Sequence, residues 1–365
     1  MLTRKVTHVR FGQKVVFGYC RRHGDICRGQ FATPGRLPAT AATPCGFPFY
    51  LPFLSGPFTG ALDFTSKYEG SDSARATLNP QADHAFHEQT KAITELEKVV
   101  SQVVTGFARD GNPARADCVV NGLDAWARAG ALTAVAKNHT GKSMRKWALA
   151  TLSSSWLQLK FSPTHPLDRQ QQKAADVEHW LSHLADLTVA EWRDLPLKRV
   201  NNHSYWAAWA IMATAIVTDR RDLFDQSLAM YRTAANQVDS EGFLPNELRR
   251  KQRAFSYHNY AIQPLVMIAL FARSNGVEVT AENDNALQRL ARRILSGFDN
   301  PDVFTRKTGI PQDSAFTQQA SSIAWLEGWC ALQTCDARTN QRISALRPLH
   351  STRLGGDLSW LFAAH

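Results

Sequence analysis

The chain has 365 residues, of which 44% are hydrophobic and 20% charged, and 10 are Trp. This composition buries a sizeable core and excludes a disordered chain; the length suits one large domain or two. Lys and Arg total 42 against 32 Asp and Glu, a net charge of +10, which favours anionic partners: nucleic acid, an anionic membrane surface or an acidic polysaccharide. No apolar run reaches the roughly 18 residues of a membrane-spanning helix.

The N-terminus is basic, but its only apolar patch is Val15-Val16-Phe17, followed by Cys20-Arg21-Arg22-His23. That patch is too short for a working secretory signal. Pro34, Pro38, Pro44, Pro48, Pro52 and Pro57 predict an irregular segment over 1–58. From Gln81 onward apolar residues recur at helical spacing and strand alternation is scarce. Helices are expected near 83–107, 117–136, 143–160, 167–186, 203–218, 220–238, 254–274, 280–298 and 318–334. Gly130, Gly141, Gly242 and Gly276 fall between these segments, and Asp219 and Thr280 stand where N-caps belong. Helices of this length joined by turns predict an all-α stack of antiparallel hairpins over 59–365, without a consensus repeat. The absence of a Gly-rich phosphate loop, HExxH and GxSxG counts against nucleotide binding, zinc proteases and serine hydrolases.

Six cysteines are present, none at the CxxC spacing of a structural zinc site. Cys330 and Cys335 are spaced to close a short loop by a disulfide or to remain buried thiols, and the residues alone leave both open.

Two stretches carry unusual chemistry. Asn201-Asn202-His203-Ser204-Tyr205-Trp206-Ala207-Ala208-Trp209 packs two amides, an imidazole and aromatic rings into one helix start. One Asn is a cap; the second amide and the His are not needed for capping. Trp206 and Trp209 share a helix face, with Trp209 the better core residue and Trp206 a platform for a sugar ring. The second stretch places Arg249, Arg250, Lys251 and Arg253 just before Tyr257-His258-Asn259-Tyr260. A charge run alone is a solvated turn; joined to phenols and an imidazole it suits an anionic substrate undergoing proton transfer.

These residue types fit β-elimination across a uronic acid. The C5 proton is weakly acidic because the carboxylate already bears charge, so a cation or amide donor must neutralise that carboxylate. A base takes the C5 proton and an acid protonates the departing glycosidic oxygen. Arg or Asn, His and Tyr supply these roles without a metal, whereas calcium-assisted chemistry needs an acidic cluster that this sequence lacks.

The chain closely resembles the polysaccharide lyase family 5 alginate lyases, the periplasmic poly(β-D-mannuronate) lyases, from about Thr59 to about Gly356. The resemblance rests on FTSKYEGSDSARATL at 64–78, AWARAGAL at 125–132, NHTGKSMRKW at 138–147, NNHSYWAAW at 201–209 and GFLPNEL at 242–248. It implies an incomplete (α/α) toroid with a substrate cleft, no cofactor and no metal. By motif it places the catalytic quartet on Asn202, His203, Arg250 and Tyr257, and substrate contacts on Ser66, Lys67, His139 and Thr140. Trp206 and Tyr260 complete the expected binding set. The family's disulfides would be Cys45–Cys118 and Cys330–Cys335. Residues 1–44 do not resemble the family's signal peptide and Pro-rich lead, and a misassigned start would account for that.

The resemblance implies depolymerisation of mannuronate-rich alginate, leaving an unsaturated 4-deoxy-uronate at the new non-reducing end. It also implies periplasmic clearance of polymer during alginate secretion. The expected roles put Arg250 and Asn202 on the C5 carboxylate and Lys67 and His139 on neighbouring carboxylates. Tyr257 serves as base and acid, helped toward phenolate by Arg250, with His203 beside it. Arg249, Lys251 and Arg253 are read as exposed charges. The partner is alginate, with the alginate secretion complex as a further one; nucleic acid and membrane insertion are not expected. The rival reading is a catalytically silent alginate-binding component of that complex.

Overall fold

The computed structural model describes residues 56–70, 75 and 77–362. The expected irregular segment 1–58 lies almost entirely outside the described residues, as do Cys20, Cys27 and Cys45. The first six helices are α1 (Pro80–Asp110), α2 (Pro113–Arg128), α3 (His139–Lys160), α4 (Gln171–Trp192), α5 (Asn202–Thr218) and α6 (Arg221–Gln237). The short α7 (Pro245–Leu248) leads to α8 (Ala254–Ser274), α9 (Glu282–Asp299), α10 (Asp302–Thr308) and α11 (Ala320–Ile323). Then come α12 (Trp325–Leu332), α13 (Ala337–Leu346) and α14 (Leu358–Leu361). Strands β1 (His350–Ser351) and β2 (Gly356–Asp357) pair antiparallel, with His350 opposite Asp357.

The helices form the two rows of an incomplete (α/α) toroid. Along the inner row α1, α3, α5, α8 and α12 are successive neighbours; outside, α2 packs on α4 and α6 on α9. Sequence explains the division. Every residue of α5 from Ser204 to Val217 is buried, and Ala207, Ala208, Ala210, Ala213 and Ala215 let α3, α6 and α8 approach closely. A helix apolar all round belongs in the interior. The outer α9 instead buries one stripe, Ala286, Leu287, Leu290, Ala291 and Ile294. Trp126, Trp156, Trp209 and Trp325 are fully buried.

Asparagines set the helix starts. Asn79, Asn112, Asn138 and Asn201 each accept a backbone N–H in the first turn of α1, α2, α3 and α5, a cap typically contributing about 1 kcal/mol. The expected caps are corrected: Asp219 ends α5 in a left-handed conformation (φ 52°), and Thr280 precedes the Ala281 cap while bonding to Glu278. Helix α2 stops at Arg128 rather than near 136, because Gly130 and Leu132 turn the chain with φ of 62° at both. Residues 166–170 form a 3-10 turn ahead of α4, and the expected helix over 318–334 divides at Ala324. The pair Cys330–Cys335 is a disulfide joining the end of α12 to the approach of α13. Cys118 is also disulfide-bonded; Cys45, expected to be its partner, is not among the described residues.

Gly141 lies inside α3 rather than between helices, and the reason is a close approach. Residues 56–70 run across the start of α3, where Leu62 pairs in parallel with Ala136 and Asn138 donates to Asp63 and to the Phe64 carbonyl. A Cβ on Gly141 would stand 2.0 Å from the Leu62 carbonyl oxygen, so the two backbones meet only at glycine. Gly141→Ala should therefore destabilise the protein by about 1–3 kcal/mol and displace Ser66 and Lys67, lowering the urea-unfolding midpoint and raising KM. An unchanged midpoint and KM would contradict this packing argument.

Candidate active site

The inner helices α3, α5 and α8 present their N-terminal turns to one cleft. His139 and Thr140 open α3, Asn202 and His203 open α5, and Tyr257 stands in the first turn of α8. Ser66, Lys67, His139, Thr140, His203, Arg250 and Tyr257 line one cavity of about 430 Å³. An adjoining cavity of about 380 Å³ shares Lys67, His203 and Tyr257 with it and adds Asn202 and Tyr260. A third, of about 510 Å³, continues past Tyr260 to Trp206, Glu97 and the β1–β2 turn. All ten site residues expected from sequence thus fall along one groove, whose floor carries the partial positive charge of helix N-termini.

Glu247 fixes one wall. Its carboxylate is fully buried; it accepts from the Asn202 backbone N–H at 2.6 Å and from the Asn202 amide at 3.0 and 3.2 Å. Arg250 Nε lies 3.7 Å from the other carboxylate oxygen. Burial pushes the Glu247 carboxyl up, and Arg250 and Asn202 pull against it. The arrangement spends the Asn202 amide on Glu247 and leaves Asn202 Oδ1 and Arg250 Nε buried without hydrogen-bond partners. Arg250 itself lines the cleft, while its Nε faces Glu247.

The Arg250 guanidinium lies over the Tyr257 ring at 4.7 Å, and that of Arg253 at 5.1 Å. Arg253 is not an exposed charge: it is half-buried and donates to the Tyr68 hydroxyl at 3.3 Å and to the Arg75 carbonyl at 2.8 Å. Arg249 and Lys251 are exposed, as expected. The expected lowering of Tyr257 toward phenolate by Arg250 is corrected: burial and the neighbouring Tyr68 hold its phenol above its ordinary value, and Arg253 and Arg250 pull it back only in part. At Tyr68 burial opposes ionisation, but Arg253 and Lys67 outweigh it and draw the phenol down. The two phenols ionise as a pair whose first proton leaves more readily than the second.

His203 forms the opposite wall. Its ring stacks on Trp192 with an interplanar angle of 8° and meets the His139 ring at 4.6 Å. Its Nδ1 faces Lys146 Nζ at 2.9 Å and Ser143 Oγ at 3.2 Å. Desolvation, Lys146, His139, Arg250 and Arg75 hold His203 well below the ordinary imidazole range, and His139 is held at about 4 by the same kind of surroundings. Both are neutral at neutral pH. His258, in contrast, is structural: Nε2 accepts from the Leu244 backbone and Nδ1 donates to the Ala254 carbonyl.

Trp206 is less open than a sugar platform should be. It is 1% exposed, donates Nε1 to the Tyr260 carbonyl, and packs beneath the Tyr260 ring at 5.0 Å. Tyr260 supplies the accessible face. Sequence reasoning missed Tyr68, Lys146, Glu247, Arg253 and Arg353. Lys146 and Glu247 stand inside motifs quoted above, and nothing in their spacing says that they are buried. Arg353 reaches the cleft from the β1–β2 turn, over the Trp147 ring at 4.4 Å and 3.3 Å from the Tyr260 hydroxyl.

A helical toroid with a groove lined by cations, neutral imidazoles and phenols is an enzyme site suited to an acidic polymer. A family profile described as Alginate lyase matches residues 63–304. An alginate lyase of Pseudomonas putida (strain F1) is 55% identical over 306 residues, covering 84% of this chain and 83% of that protein. An alginate lyase of Cobetia marina is 51% identical over 309 residues, covering 85% and 83%. The chain therefore belongs to the alginate lyase family. It is accordingly a polysaccharide lyase with an anionic polysaccharide as substrate. The fold is shared with alginate lyase A1-III from Sphingomonas species A1, at a TM-score of 0.76 and 21% identity over 89% of this chain and 88% of that one. A histidine-to-alanine variant of A1-III, solved with a tetrasaccharide, also superposes at 0.76 and 21% identity, over 88% and 89%.

Glu97, at the far end of the groove, gives the site a pH signature. It is 5% exposed, and burial pushes its carboxyl from an ordinary 4.5 up to about 7, with Arg353 opposing. The folded state holds this proton more tightly than the unfolded chain. Its stabilising contribution is complete below pH 4.5 and is lost as pH rises through 7. Between pH 5 and 8 the wild type should lose roughly 2–3 kcal/mol that Glu97→Gln does not lose, read from urea-unfolding curves at the two pH values. Parallel pH dependences would contradict the assignment.

Proposed function

We propose that this lyase depolymerises mannuronate-rich alginate by metal-independent syn-elimination, with Tyr257 moving both protons. In β-D-mannuronate the C5 hydrogen and the C4 oxygen lie on one side of the ring, so one group reaches both. The observation that carries the reading is the Tyr257 phenol held under two guanidiniums in the cleft that also receives Asn202, His203 and Arg250. Arg250, whose guanidinium lines the cleft, neutralises the C5 carboxylate. Asn202 acts beside it through Glu247, which ties both residues together. Tyr257 as phenolate takes the C5 proton, and the electron pair passes into the carboxylate as an enolate-like dianion. The pair then forms the C4–C5 double bond as the C4–O4 bond breaks, and the Tyr257 hydroxyl returns its proton to O4.

Ser66, Lys67, His139, Thr140 and Tyr260 bind the flanking sugars, and the tetrasaccharide held by a protein of this fold supports a groove of several subsites. Among the described residues no cluster of three or more His, Cys, Asp or Glu side chains is found. The periplasmic clearance role remains our reading from the family resemblance, and no helix among the described residues is long and apolar enough to cross a membrane. The catalytically silent alternative is not favoured, since the curated relatives are alginate lyases and the reactive side chains converge.

Tyr257→Phe removes one hydroxyl and should cost roughly 10²–10⁴-fold in kcat on polymannuronate, followed by absorbance of the new conjugated double bond. Wild-type kcat in that variant would overturn the syn-elimination scheme. Polyguluronate should be cleaved far more slowly than polymannuronate; equal rates would remove the substrate assignment. EDTA should leave the rate unchanged, and a loss restored by calcium would overturn the metal-free mechanism.

A further inference from the structure

We propose that Lys146 is a positioning residue that holds His203 in its Nε2–H tautomer, so that His203 offers the substrate a neutral hydrogen-bond donor rather than a base. The inference rests on the lyase reading above and adds a residue that reading does not use. Lys146 is 0% exposed in the second turn of α3, which is costly for an ammonium and calls for an explanation. The carboxylate that raises its basicity, Glu191, is engaged by Arg145. Nζ instead lies 2.9 Å from Nδ1 of His203, between the faces of Trp147 at 4.6 Å and Trp192 at 4.1 Å. Two indole faces favour a cation and do nothing for a neutral amine. Burial and Arg353 act in the other direction, drawing its pKa well down.

The consequence follows from lone pairs. An ammonium has protons to donate and no lone pair to accept. A ring nitrogen 2.9 Å from it must therefore be unprotonated, and the proton of the neutral imidazole sits on Nε2. Ser143 Oγ, 3.2 Å from the same Nδ1, satisfies either tautomer and so selects neither. Trp192, stacked on the ring, and His139, edge-on to it, fix the ring plane. The titratable and charged groups facing His203 are Lys146 and the neutral His139 on α3, Arg250 ahead of α8, and Arg75, and every cation among them opposes a second ring proton. The ring is thus held in one protonation state and one tautomer. Its Nε2–H can stabilise the charge that builds on the uronate, which leaves both proton transfers to Tyr257.

The test begins with the wild-type protein, and His203→Gln is used only to assign the signal, with the other histidine signals checking that it is folded. Two-bond ¹⁵N–¹H spectra of ¹⁵N-histidine-labelled enzyme at pH 7 should show the Nε2–H coupling pattern for His203, assigned by its loss in His203→Gln. A wild-type Nδ1–H pattern would overturn the proposal. Lys146→Met leaves Ser143 alone at Nδ1; it should populate the Nδ1–H form and lower kcat about 10- to 100-fold with KM little changed. Lys146→Arg, another donor-only cation, should restore the Nε2–H pattern and part of kcat. A Lys146→Met protein that keeps the wild-type pattern and kcat would also overturn it. These outcomes separate the two readings: an inactive wild type on polymannuronate sinks the mannuronate reading, while the tautomer is read from the spectrum alone.

Discussion

Much of the site depends on one buried carboxylate. Glu247 has no exposed surface, and a carboxylate in that position survives only if charge and hydrogen bonds replace lost water. The replacements are the Asn202 backbone and amide and the Arg250 guanidinium. Satisfying Glu247 therefore locks the start of α5 to α7 and fixes where the chain leaves α7 for α8. Arg250 is carried over the ring of Tyr257 as a result. Removing one partner from such a buried group typically costs about 3–5 kcal/mol, so the constraint that builds the site also holds the local fold.

The opposite wall solves the inverse problem, a buried lysine whose neighbouring carboxylate is already engaged by Arg145. Lys146 is accommodated by indole faces and one imidazole nitrogen. Helix packing permits this because α3 and α5 are close neighbours in the inner row and their N-terminal turns meet at His139 and His203. Farther along α5 the interior is mostly Ala, Ile, Met and Val, and the polar Thr214 there is satisfied locally by Ser153 and the Ala210 carbonyl.

Charge is distributed to match. On the outer surface Arg220 pairs with Asp186 and Asp222, Arg232 with Glu282, and Arg338 and Arg342 with Asp299. Exposed pairs of this kind contribute little to stability, but they neutralise the exterior. In the groove Lys67, Arg75, Arg199, Arg250, Arg253 and Arg353 stand together with no exposed carboxylate among the lining residues. Field is thereby concentrated where an acidic chain would lie, and its effect weakens with salt.

Periodicity made the helical class legible, because buried and half-buried helices leave a pattern that needs no knowledge of their neighbours. Helix α8 was readable from Ala254 to Ser274 despite Pro264, and the motifs named the side chains that converge on the groove. Boundaries shifted where a turn depends on contact with another segment, as at Gly130, or where a glycine serves close packing instead of a turn, as at Gly141. The roles of Arg253, Glu247 and Lys146 were hidden for the same reason. In sequence they are charges in polar runs, and only their distances to Tyr68, Asn202 and His203 give them partners. The sequence by itself determined which chemical groups were present and that the chain would be helical, since both are local properties. The tertiary structure decided which charges are desolvated, which donors remain unpaired and which ring nitrogen faces a cation, because those depend on residues tens to hundreds of positions apart.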